Sequence, residues 1–85
     1  MIPPELTPFF WDIRTADFDP SSYPDYTIAR LLEYGDEKAI TWLRENFPET
    51  EIRRVLHTER RLTRRSANFW ALVYGIPASE VAALE

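Results

Sequence analysis

A chain of 85 residues is short enough for one domain with a single modest core. It has no cysteine, which excludes disulfides and thiolate metal sites, and no apolar run approaches the ~20 residues that a membrane-spanning helix needs. The net charge of −4 is uneven: four basic and eleven acidic residues up to Glu51 leave −7, and six basic and three acidic residues beyond it leave +3. Such asymmetry means either that the two halves attract each other in the fold or that the second half meets an anionic partner.

The first stretch, residues 1–24, holds most of the seven prolines and shows little periodicity. MIPPELTPFFWD has neither the basic start nor the apolar run of a secretory signal, and the cysteine-free composition fits a cytoplasmic location. Three consecutive aromatics, Phe9, Phe10 and Trp11, would make a costly patch in water, so this segment is expected to lie across the helices as part of the core, with a docking patch or dimer contact as the alternative. Asp17 to Pro24 is turn chemistry.

Helix signals follow in quick succession. Ser22 is placed to cap a first helix, with Asp25 three positions on and Pro24 in the first turn. Ile28, Leu31 and Leu32 form its apolar stripe, and Gly35 offers a left-handed stop. Asp36 caps a second helix bearing Ile40, Leu43 and Phe47, with Ala39 and Trp42 beside them. Pro48 ends that helix and opens a third, which carries Ile52, Val55, Leu56 and Glu59 on one face. Thr63 suits the N-cap of a fourth, running through Ala67, Phe69, Trp70 and Val73 to Gly75. Pro77 opens a last short helix with Val81 and Leu84.

The fold predicted is all-α: a compact bundle of four to five short helices with an aromatic-rich N-terminal segment packed across it. Residues 1–85 read as a single helical domain, irregular over 1–24 and helical over 25–85. Twelve aromatics dominate its core energetics, with Phe9, Phe10, Trp11, Trp42, Phe69 and Trp70 as the expected structural anchors.

Most catalytic chemistry lacks its parts. The single histidine, His57, lies opposite the apolar stripe of the third helix, with no nucleophile or orienting carboxylate in a recognisable pattern. Asp12, Asp17 and Asp19 do not make an EF-hand loop: the central glycine is absent and the twelfth position from Asp17 is Ile28. Two glycines, both at helix ends, leave no phosphate-cradling loop. No enzyme, metal or cofactor is expected.

The basic residues are the remaining candidate. Arg53, Arg54, His57 and Arg61 gather on one helical face, and Arg60, Arg64 and Arg65 extend the group across the joint to the fourth helix. Such a joint is compatible with a helix-turn-helix that reads DNA through Arg64, Arg65 and Asn68. The turn glycine is missing, Phe69 and Trp70 are too apolar for a reading face, and the total charge is acidic. Arginine forks meeting an acidic protein surface are at least as compatible.

Three stretches carry a further signal: PFFWD over residues 8–12, ARLLEYGD over 29–36 and RRLTRRSANFWALVYGIP over 60–77. In order and spacing they resemble a family of small, uncharacterised bacterial and archaeal proteins, across nearly the whole chain. Several members are encoded beside nucleotidyltransferase-like toxins of the abortive-infection type. The resemblance implies a prokaryotic antitoxin-like protein or toxin partner, with no catalysis of its own. One departure is visible: Arg64 stands where the family pattern has proline, which adds charge and removes a rigid first residue from the helix. The expected function is thus a protein-interaction module whose partner is such a toxin, with a small DNA-binding regulator as the alternative. A second copy of the chain is the other partner the sequence admits.

Overall fold

Pro24 sets the start of the first α-helix, α1 (Pro24–Tyr34): its fixed φ suits a first turn, and its missing N–H would find no partner there. In the computed structural model, which describes residues 3–14 and 18–85, three more α-helices follow on short connections. They are α2 (Glu37–Asn46), α3 (Glu49–Thr58) and α4 (Arg64–Tyr74). A 3-10 helix, Pro4–Phe10, precedes them, and 3-10 turns occupy Pro20–Ser22, Ala78–Glu80 and Ala82–Leu84. The described residues contain no strand, and the all-α bundle expected from the sequence is the fold observed.

The bundle is organised around α1. It packs against α2, α3, α4, the N-terminal 3-10 helix and the Pro20–Ser22 turn. Ile28 and Leu31 of α1, Leu43 of α2, and Ile52, Val55 and Leu56 of α3 are almost wholly removed from water. Leu6 and Phe10 close this core from the N-terminal side and Val81 from the C-terminal side. Burying each such side chain contributes about 1.5–3 kcal/mol. The radius of gyration, 12.4 Å, is close to the ~12 Å of a fully folded chain of this length.

Four long-range hydrogen bonds to two residues of α1 seat α4. The indole Nε1–H of Trp70 donates to the Leu32 carbonyl at 2.8 Å, inside the core. This satisfies one of the carbonyls that the end of α1 leaves without an intrahelical partner. Glu33, the next residue, accepts from the Thr63 backbone N–H at 2.8 Å and from the hydroxyls of Thr63 and Ser66, each at 2.9 Å. The last turn of α1 therefore holds both the N-cap of α4 and its buried aromatic.

Helix ends follow the expected residues at several points. Asp36 accepts from the Ala39 N–H at 2.9 Å, Pro48 precedes α3, and Thr63 accepts from the Ser66 N–H at 3.2 Å. Gly75 is left-handed at φ 65°, with the Ile76 N–H reaching back to the Ala71 carbonyl at 2.9 Å, which is a Schellman closure.

Other expectations are corrected. Ser22 does not cap α1. Asp19 captures it instead, accepting from the hydroxyls of Ser21 at 2.7 Å and Ser22 at 2.9 Å, so the carboxylate closes its own 3-10 turn. Asp25, freed from a capping box, turns to Arg54 on α3. Gly35 is extended, at φ −68° and ψ 149°, not left-handed. Glycine is required there by space: a Cβ would lie 2.5 Å from the Leu31 carbonyl oxygen and 3.1 Å from the Ala39 Cβ. Past Pro77 the chain forms two 3-10 turns in place of a helix, with Val81 buried and Leu84 partly so.

The two glycines are expected to tolerate alanine unequally. Gly35→Ala meets backbone and should cost about 1–3 kcal/mol, the usual range for overpacking. Gly75→Ala has nothing within 4 Å and carries only the left-handed penalty of roughly 1–2 kcal/mol. Thermal melts would resolve this, since about 1 kcal/mol shifts the midpoint of a chain this size by roughly 4–8 °C.

Candidate functional site

The aromatics sort into two groups. Phe10 is buried, 5.3 Å from the Phe18 ring and 5.9 Å from Tyr26, and Phe9 packs partly against the core. Trp42 is partly buried and meets Phe47 edge-on at 6.2 Å. Trp70 is buried. Trp11 and Phe69, expected as core anchors, are not: they are 62% and 55% exposed. At ~100° per residue Ala67, Trp70 and Ala71 cluster on one side of α4 and Phe69 falls on the opposite side, so the helix that buries Trp70 turns Phe69 outward. The small alanines let α4 approach closely.

Trp11 has a different role. The Arg30 guanidinium lies 4.6 Å from its ring centre and 4.9 Å from that of Tyr26, and Trp11 meets Tyr34 edge-on at 5.0 Å. Arg30 also donates to Asp12 at 2.6 Å and to the Tyr26 hydroxyl at 2.9 Å, while that hydroxyl donates to Asp12 at 2.8 Å. PFFWD is thereby tied to α1 through Arg30 and Tyr34. The Tyr26 hydrogen bond, with Arg30 beside it, holds the Asp12 carboxyl below its ordinary range, and burial together with the Asp12 bond pushes the Tyr26 phenol up. A pocket of about 190 Å³ opens beside this cluster, but its polar side chains Tyr26, Arg30, Glu33 and Arg61 already bond within the protein.

Most of the expected basic face is similarly engaged. Arg53 pairs with Glu49 at 2.7 Å. Arg54 forks onto both Asp25 oxygens, at 2.6 and 3.2 Å, and also reaches Glu51 at 2.6 Å. Arg60 meets Glu85 at 3.0 Å, and Arg61 meets Glu59 at 2.6 Å. These bonds hold the Asp25 and Glu59 carboxyls below their ordinary range and push the Arg54 and Arg61 guanidiniums further up. His57 Nδ1 lies 2.8 Å from the Glu80 carbonyl, a bond that the Nδ1–H tautomer donates and that ties α3 to the C-terminal turns.

Arg64 and Arg65 differ. Neither has a carboxylate partner among the described residues. Both sit in the first turn of α4, which carries no acidic residue of its own. They line an open groove of about 360 Å³ with Asn68, Ala78 and Leu84. One turn along, Phe69, Leu72 and Val73 form an outward apolar stripe at i, i+3, i+4, with Leu72 75% and Val73 46% exposed. Leu72 was not singled out from the sequence. Its signal was the second stripe on α4, at 69, 72 and 73, which periodicity alone cannot rank against 67, 70 and 71.

Asp12 and Asp19 are engaged as described, Asp17 lies outside the described residues, and no group of three or more His, Cys, Asp or Glu side chains gathers among the described residues. No helix among them is long and apolar enough to cross a membrane.

Comparison with known proteins places residues 6–56 on the model of a family of unknown function, DUF6922. That span includes PFFWD and ARLLEYGD and stops short of α4. No curated protein and no solved structure matches.

Two expectations test these contacts. Trp70→Phe leaves the Leu32 carbonyl unpaired in the core and should lower unfolding free energy by about 1–3 kcal/mol in urea titrations. Acid should also destabilise the fold. Asp12, Asp25 and Glu59 have folded values below their unfolded ones, so their contribution is present above pH ~4 and is lost as pH falls through the folded values. The melting midpoint should fall below about pH 4, and Asp25→Asn should flatten that acid limb.

Proposed function

The chain belongs to DUF6922, a family of unknown function, and on that footing we propose that it is a non-catalytic protein-interaction module that docks its partner on the outer face of α4. The stripe of Phe69, Leu72 and Val73 carries this reading. Single exposed apolar residues are ordinary, but three large ones in register on a helix form a patch of the kind that partners cover. Arg64 and Arg65, in the first turn of the same helix and without a carboxylate partner among the described residues, supply charge of the kind that interfaces use for specificity.

The resemblance of PFFWD, ARLLEYGD and RRLTRRSANFWALVYGIP to chains encoded beside nucleotidyltransferase-type toxins supports such a toxin as the partner. The role is antitoxin-like: the module binds such a toxin in the cytoplasm of a prokaryotic cell. DNA regulation through α3 and α4 has less support. Arg53, Arg54, Arg60 and Arg61 are paired with carboxylates, and Arg65 shares its helix face with the exposed Phe69 and Leu72.

Co-expression with nucleotidyltransferase toxins from neighbouring loci of this family should yield a co-eluting complex and rescue growth. No complex and no rescue would remove the toxin-partner role.

A further inference from the structure

We infer that the partner element received by α4 is an amphipathic helix carrying carboxylates in the turn that meets Arg64 and Arg65. The inference rests on the interaction-module reading and specifies the chemistry of the same surface.

The outer face of α4 has two zones. Its C-terminal zone is the apolar ridge of Phe69, Leu72 and Val73. An i, i+3, i+4 ridge fits the groove of a second helix. α4 offers no strand edge, because its backbone groups bond within the helix and at its caps. An extended peptide would gain no ladder there. In the N-terminal turn Arg65 stands one turn before Phe69, in line with the ridge, and Arg64 one turn before Asn68, at its side.

The charges are placed against the local field. A helix N-terminus is the positive end of the macrodipole and favours anions. Here it bears two adjacent guanidiniums and no acidic residue in its first turn. Glu33 reaches this end, but its two oxygens are engaged by Thr63 and Ser66. Arg53, Arg54, Arg60 and Arg61 each have an internal carboxylate, whereas Arg64 and Arg65 have none among the described residues. Positions that break a local rule without internal compensation are expected where function requires them. External carboxylates would supply the missing compensation, and arginine forks suit them.

Other occupants fit less well. Between Arg60 and Ser79 the chain has no Asp or Glu. Pairing two copies along α4, in either direction, would leave all four guanidiniums without a carboxylate on the facing helix. Nucleic acid would meet Phe69 and Leu72 in the middle of the face, on a chain of net charge −4.

A displayed library of amphipathic helical peptides tests the inference without knowledge of the natural partner. Peptides about 14 residues long span the ~16 Å length of α4; apolar positions are fixed at helical spacing and the rest randomised. Selection against the full chain should enrich Glu and Asp in one terminal turn. Leu72→Ser should weaken the selected binders by about tenfold or more. The double substitution Arg64→Glu, Arg65→Glu should invert the enrichment to Lys and Arg. These side chains are exposed, and an unchanged melting curve would show that the variants are folded. Recovery of no helical binder, no carboxylate enrichment, or binders insensitive to either variant would overturn the inference. So would a sedimenting dimer dissolved by Leu72→Ser, or salt-steep DNA binding lost with the arginines. A toxin complex that survives both variants would overturn this assignment and leave the partner role standing, whereas absence of any complex bears on the role alone.

Discussion

The end of α1 has carbonyls with no partner in its own helix, and the way they are satisfied determines where α4 lies. The indole of Trp70 reaches the Leu32 carbonyl within the core, and the neighbouring Glu33 binds the start of the same helix through Thr63 and Ser66. An unpaired buried carbonyl costs about 1–3 kcal/mol, so this fit tolerates little rotation of α4. With Trp70 pinned inward, Phe69, Leu72 and Val73 are turned to water. The exposed stripe follows from a buried hydrogen bond on the opposite side of the helix.

The stretches that carry the family resemblance gain a physical account from the same hub. PFFWD contributes Phe10 to the core and Trp11 and Asp12 to the Arg30 cluster. ARLLEYGD supplies Arg30, the Leu32 carbonyl, Glu33, Tyr34 and the glycine that admits the close approach of α2. RRLTRRSANFWALVYGIP supplies Thr63, Ser66 and Trp70, which meet that stretch from the other side. Three segments far apart in the chain thus converge on the last two turns of one helix. They hold the fold together, and their presence does not by itself indicate chemistry.

The charge asymmetry between the halves is partly absorbed inside the molecule. Arg54 crosses from the basic half to Asp25 and Glu51 of the acidic half, and Arg53 does the same with Glu49. These pairs are partly exposed and individually contribute little stability. Their consequence is for recognition: together with the Arg60 pair to Glu85 and the Arg61 pair to Glu59 they engage four of the six arginines beyond Glu51 and leave Arg64 and Arg65 without a carboxylate partner among the described residues.

The sequence alone determined the four α-helices, though not the 3-10 turns past Pro77, because caps, prolines and 3.6-residue periodicity act over one turn. Asp36, Pro48, Thr63 and Gly75 mark boundaries through contacts with residues three to five positions away. It also determined which residues are too apolar to be left wholly in water. Only the tertiary structure decided how these residues divide between core and surface. α4 carries two apolar stripes of similar strength, and the choice between them depends on a carbonyl thirty-eight residues earlier. The pairing of the arginines was hidden for the same reason: Arg54 and Asp25 are twenty-nine residues apart, and no local pattern connects them. Ser22 shows the reverse case, in which a local cap signal lost to Asp19, a closer acceptor in the adjoining turn.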